Sequence, residues 1–142
     1  MDDSHKLLFS VADAANIGKD SVEMLMGKTE DEKMIRELKQ LSEHYEQTRT
    51  QVETRLRETG GKIRDRNVMA KMSVWMGVQM DTLTDRSNSH LADMLIQGTT
   101  MGILDVTKTQ SACPNADGES AGIAARFLQC EQQSIDALKQ YL

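Results

Sequence analysis

Apolar residues recur at steps of three and four along almost the whole chain, the spacing that places them on one face of an α-helix. Residues 3–26 read as a first helix, with Asp2 or Asp3 as N-cap and Gly27 as its stop. Its stripe runs through Leu7 (or Leu8), Val11, Ala14/Ala15, Gly18, Val22 and Leu25, and the small residues in the middle predict a close approach to a neighbour. A second helix opens on a capping box, Thr29 with Glu32 three residues later. It buries Ile35, Leu38, Leu41, Tyr45, Thr48, Val52 and Leu56, and its other face is charged, with opposite-sign neighbours such as Glu32–Arg36 and Glu53–Arg57. Gly60-Gly61 end it.

The third helix is shorter, over about residues 67–83. Met69, Met72, Met76 and Met80 lie along one side, and Val74, Trp75 and Val78 widen the apolar surface. A fourth helix, about residues 89–111, carries Leu91, Met94, Leu95, Gly98, Met101, Gly102 and Asp105 on one stripe. Ile96, Ile103, Leu104 and Val106 make it apolar almost all round, which predicts a central place in its bundle. Gly98-x-x-x-Gly102 predicts tight packing there. After a loop at 112–118, a fifth helix over about 119–141 buries Ala124, Phe127/Leu128, Ile135, Leu138 and Leu142.

Composition narrows the class. The chain of 142 residues fits one helical-bundle domain over 1–142, large enough to bury a sizeable core. With 39% hydrophobic and 27% charged residues it reads as soluble and globular rather than disordered. A single proline, Pro114, and few aromatics leave helix favoured over most of the length. The net charge of −5 argues against nucleic acid as a partner. Arg55, Arg57, Lys62, Arg64 and Arg66 crowd the end of the second helix, but Glu53, Glu58 and Asp65 dilute them and no aromatics stand by for stacking. No apolar run approaches the roughly 18 residues that span a bilayer, and the Met-Asp-Asp-Ser-His start has no secretory pattern, so no membrane and a cytoplasmic location are expected. Cys113 in the loop and Cys130 about 18 Å along the fifth helix are badly placed for an intramolecular disulfide unless that helix starts late; free thiols suit a reducing compartment, with a cysteine pair across a dimer ranking well below.

Helix order carries a resemblance. Four long helices, with the shorter third as a return crossover, form two antiparallel hairpins joined by one long connection, the connectivity of ferritin-like bundles. The chain resembles small bacterial ferritin-like, rubrerythrin-related proteins over nearly its whole length. That resemblance implies an all-α, ferritin-like four-helix bundle with an additional short crossover helix. It also implies a metal centre of Glu on two bundle helices and Glu-x-x-His on the other two. Here the sequence departs: Asp2, Leu41 and Ser87 stand three residues before His5, His44 and His90, where the motif needs Glu. On the first helix Asp13, Asp20 and Glu23 fall away from the apolar stripe.

Two acids do fall on apolar stripes. Glu131 lies between Phe127/Leu128 and Ile135, and Asp105 continues the Gly98–Met101 line, with Lys108 or Tyr45 as partners that would offset the cost of burying them. Together with His44 and Glu46 on the second helix, they form the candidate set for an atypical metal site holding iron or another transition metal. His90 and Asp93 share a face, but two ligands do not make a site. The ten methionines read first as flexible core, and secondly as an adaptable partner groove or a soft metal site. Both apolar sides of the third helix cannot be buried in one monomer, so an interface at Trp75, Met72 and Met76 is expected, in a homodimer or higher homo-oligomer with room for a further protein partner. Cys130 has no base within sequence reach, and phosphate loops, dinucleotide fingerprints and zinc-spaced Cys/His sets are missing. The expectation is a non-catalytic structural or protein-interaction module with no cofactor. The alternatives are a divergent metal-binding or redox protein, and a thiol or methionine sensor using Cys113, Cys130 and the third-helix methionines.

Overall fold

Five helices are present in a computed structural model that describes residues 2–61 and 71–142, and no strand occurs among the described residues. They are α1 (Asp3–Met26), α2 (Glu32–Glu58), α3 (Lys71–Asp81), α4 (Asn88–Ala112) and α5 (Gly118–Leu138), closed by one 3₁₀ turn at Lys139–Tyr141. The expected start of the third helix at 67, Met69, the side chain of Met72 and the basic residues Lys62, Arg64 and Arg66 lie outside the described residues.

Four helices begin on a side chain that satisfies an otherwise orphaned backbone donor. Asp2 caps α1 by accepting from the His5 amide, Asp31 caps α2 through Met34, Ser87 caps α4 through His90, and Asp117 caps α5 through Ser120. The expected Thr29–Glu32 capping box does not form. Asp31 holds the cap position, and Thr29 Oγ1 instead accepts from the Asp31 amide, forming the turn that leads into the helix. At the other end of α2, Gly60 takes φ +79°. The Gly61 amide then reaches back to the Leu56 carbonyl at 2.7 Å and the Gly60 amide to Arg57 at 3.3 Å, a paired closure that favours glycine because the left-handed backbone penalises a Cβ.

Contacts at the helix ends fix the topology. The Asn115 amide donates to Asp3, the Asp117 amide to Ser4, His5 meets Thr59, and Arg55 pairs with Asp117 and Glu119. One end of the bundle therefore gathers the start of α1, the finish of α2, the finish of α4 and the start of α5. At the opposite end Lys33 of α2 sits over the Tyr141 ring. So α1 and α5 run one way, α2 and α4 the other, and the connection holding α3 crosses the bundle's length. This is the ferritin-like arrangement that the helix order predicts.

The helix at the centre is α1 rather than α4. α1 packs on α2, α3, α4 and α5, because the small side chains of Ala12, Ala14 and Ala15 let its neighbours in close. α4 keeps Leu104 about half exposed, and Leu142, expected in the core, is 63% exposed beyond the 3₁₀ turn. The core runs from Leu7 and Leu8 through Val22, Leu38, Val52 and Leu91 to Phe127 and Leu138.

Candidate functional site

Midway along the bundle, Gly18, Tyr45, Thr99 and Glu131, one residue from each long helix, line one small cavity beneath Met76 of α3. Glu131 faces inward because it lies four residues after Phe127 and four before Ile135, both buried on the same face of α5. Tyr45 is placed by Leu41 and Thr48 in the same way on α2. Its hydroxyl donates to Glu131 Oε2 at 3.2 Å. The ring lies where α1 has no side chain: a Cβ at Gly18 would come within 2.6–2.9 Å of three Tyr45 ring carbons. Glycine is thus required at this position by close approach, not by backbone angle. The remaining space is about 20 Å³, room for about one water, walled by Ala14, Val22, Leu95 and Met76 as well as the polar residues.

His44, the neighbour of Tyr45, reaches the same carboxylate. It flanks the buried face of α2, three residues after Leu41, and stacks on Phe127 with ring centroids 6.0 Å apart. Its Nε2 lies 3.5 Å from Glu131 Oε1. Both atoms are buried and neither has a hydrogen-bond partner, so at this separation the contact is an electrostatic approach rather than a formed bond. Glu131 is only 3% exposed, and burial holds its carboxyl above the usual carboxylate range, with His44 and Tyr45 pulling the other way. Burial, then the Glu131 charge, push the Tyr45 phenol well above its ordinary value. At rest the layer is therefore a neutral phenol against a carboxyl group that resists ionisation.

Of the sequence candidates, the structure brings Glu131 and His44 together and leaves Asp105 and Glu46 outside. Asp105 is exposed, because α4 turns Thr99, Gly102 and Val106 inward and so sets Asp105 at the edge of the stripe. Lys108 is likewise exposed. Glu46 points away from the core and pairs with Lys19 at 2.9 Å. At the start of α4, Asp93 is exposed and accepts from Gln97. Thr99 is the member of the layer that the sequence reading passed over; its spacing from Leu95 and Gly102 is the signal that could have found it. Cys113 and Cys130 are both free thiols.

The interface expectation also shifts. Met76 is 3% exposed, with its methyl group against Gly98, and Trp75 is half-buried over the same glycine. The apolar side chains that α3 turns outward are Val74 and Val78, 46% and 53% exposed. The side chain of Met72 lies outside the described residues.

A two-metal centre of the kind the resemblance implies does not fit these residues. Of the four inward positions, one carries a carboxylate, and the Tyr45 ring fills the space above Gly18 where further ligands would project. Among the described residues, no three His, Cys, Asp or Glu side chains converge on a point that could hold a metal. No helix among them is long and apolar enough to cross a membrane.

No protein-family model matches the chain, and no curated protein matches it. Among solved structures it is similar to the bacterioferritin-related protein of Bacteroides fragilis, described as a dodecameric thioferritin in the bacterial domain. The two share 14% identity over 97% of this chain and 83% of that one, with a TM-score of 0.73. At this identity the likeness establishes the ferritin-like fold alone.

Proposed function

We propose that the protein is a non-catalytic, ferritin-like bundle that works as a homo-oligomeric structural or protein-interaction module. The observation that carries this reading is the tight central layer: Tyr45 seated over Gly18 leaves room for about one water, too little for a substrate beside Glu131. Outside, Val74 and Val78 stand one turn apart on α3, and Leu104 of α4 is 52% exposed. Exposed apolar groups at helical spacing favour a contact surface over open solvent. The dodecameric state of the similar structure supports assembly of this chain with itself. Sedimentation velocity tests the reading. The wild type sediments as a discrete oligomer, and Val74→Lys with Val78→Lys shifts it to a smaller species of unchanged helicity; a monomeric wild type contradicts the proposal.

A second reading, a divergent metal-binding protein, is favoured by one observation: His44 Nε2 and Glu131 Oε1 face each other, buried and without hydrogen-bond partners. Buried polar atoms are rarely left in this state.

A further inference from the structure

We propose that α3 pairs with α3 of a second copy of this chain, antiparallel across a two-fold axis, so that the assembly is built from dimers joined at the crossover helix. The proposal rests on the assembly reading above and adds to it the partner and the register.

The outward face of α3 is apolar and uncharged. Met76 and Trp75 turn toward the gap at Gly98, which leaves Val74 and Val78 46% and 53% exposed on the other side. Between Lys71 and Asp81 the helix carries no charged residue. α4, on which α3 packs, is likewise uncharged from Met94 to Leu104, with Gln97, Thr100 and Leu104 exposed. The exposed face of α2 is the opposite case, with Lys33, Arg36, Glu43, Glu46 and Glu58 on it. A chain of net charge −5 repels its own copy, and beside a two-fold axis each residue meets its own equivalent. A charged centre would set like against like and take both from water. The uncharged face is therefore where a second copy approaches with least penalty.

Gly77 points the same way. A mid-helix glycine weakens a helix relative to alanine. Gly18 and Gly98 each face a neighbour that needs the missing side chain, Tyr45 and Met76. A Cβ at Gly77 would meet nothing within 4 Å among the described residues. It lies three residues after Val74 and one before Val78, so its bare backbone lets a second helix come in to about 8 Å.

The sequence sets the register. Lys71, Val74, Val78 and Asp81 recur at steps of three and four and so share a face. Both the valine pair and the charged pair are centred on position 76. In an antiparallel pair with that centre, Val74 meets the partner's Val78 and Lys71 comes opposite the partner's Asp81, twice over. A parallel pair would set lysine against lysine and aspartate against aspartate. Asp81 also closes α3, where the helix's own dipole disfavours a negative charge that a neighbouring lysine offsets.

The experiment uses the full chain with Cys113→Ser and Cys130→Ser, which removes the native thiols. Val74→Cys and Val78→Cys forms of it are coexpressed, oxidised mildly, and read by non-reducing electrophoresis and peptide mass spectrometry. The expected result is a covalent dimer joining position 74 of one copy to position 78 of the other, at least about fivefold above the yield of either variant alone. Sedimentation of the otherwise native chain supplies a second arm. Lys71→Asp and Asp81→Lys each weaken association roughly threefold or more, and the two together restore it. Circular dichroism verifies that every variant keeps its helicity. If the cysteine variants do not assemble, the charge exchange decides, and a double exchange no tighter than the single ones overturns the proposal. Equal crosslinking by each cysteine variant alone assigns a parallel pair and overturns the register. An oligomer without the 74–78 crosslink overturns the α3 pairing and leaves assembly to another face. A monomeric wild type overturns both.

Discussion

Tyr45 and Gly18 depend on one another: a buried ring needs a helix without a side chain opposite, and a mid-helix glycine needs a reason to be kept. Gly18→Ala drives a methyl group into the ring face and should destabilise the protein by about 1–3 kcal/mol in chemical denaturation. Gly98→Ala is the contrasting case. Its new Cβ meets at 2.9 Å only the terminal methyl of Met76, which can swing aside, and alanine gains about 0.5–1 kcal/mol of helix propensity. That variant should stay within about 1 kcal/mol of the wild type. Two glycines that look alike as helix spacers thus part company once their partners are known.

Glu131 yields a pH signature. Its carboxyl in the folded state holds a proton more tightly than in the unfolded chain, with burial as the main cause. Its favourable contribution is therefore complete below the ordinary value of 4.5 and is lost as pH rises through the raised folded value. The melting temperature of Glu131→Gln minus that of the wild type should increase as pH moves from about 4.5 toward neutrality. A difference independent of pH would show that burial does not act on this group. The sequence placed Glu131 inward through the Phe127 and Ile135 spacing. The same reasoning failed for Asp105, because a stripe on α4 about one helical step wide cannot distinguish Asp105 from Val106; packing against α1 decides that.

Among elements, helix ends were legible to within a few residues where a cap or glycine marks them, and less so where two caps compete. Thr29 and Asp31 both precede α2, and only geometry shows that Asp31 reaches the Met34 amide. Asp31→Ala should cost about 1 kcal/mol and Thr29→Ala less, measured by urea unfolding. Asp117 does more than cap α5: its backbone amide donates to Ser4, and its carboxylate faces Arg55 at 3.3 Å. The Ser120 amide first, with Ser120, Ser4 and Arg55 following, lowers its carboxyl to about 2. A depressed carboxylate stabilises above its ordinary value of 3.8, and that contribution is lost as pH falls through about 2. The stability gap between the wild type and Asp117→Ala should therefore be full at neutral pH and narrow between about pH 4 and 2. A gap that stays constant across this range would assign the effect to packing instead.

For the whole molecule, the order of long and short helices was sufficient to place α3 as the crossover, since a connection from the finish of α2 to the start of α4 must span the bundle. The amphipathic pattern did not reveal which apolar face of α3 turns inward. Trp75 and Met76 are drawn onto the gap at Gly98, and Val74 and Val78 are left outside, so the surface available for assembly differs from the one that side-chain size alone suggests. Tyr45 and Glu131 fill the interior layer of this ferritin-like bundle, and the role proposed for it is assembly. Native mass spectrometry after incubation with Fe(II), Mn(II) or Zn(II) reads both parts in one spectrum. The expected spectrum is a discrete homo-oligomer carrying fewer than two specifically bound ions per chain. A monomer, or an assembly that takes up two ions per chain, would contradict it.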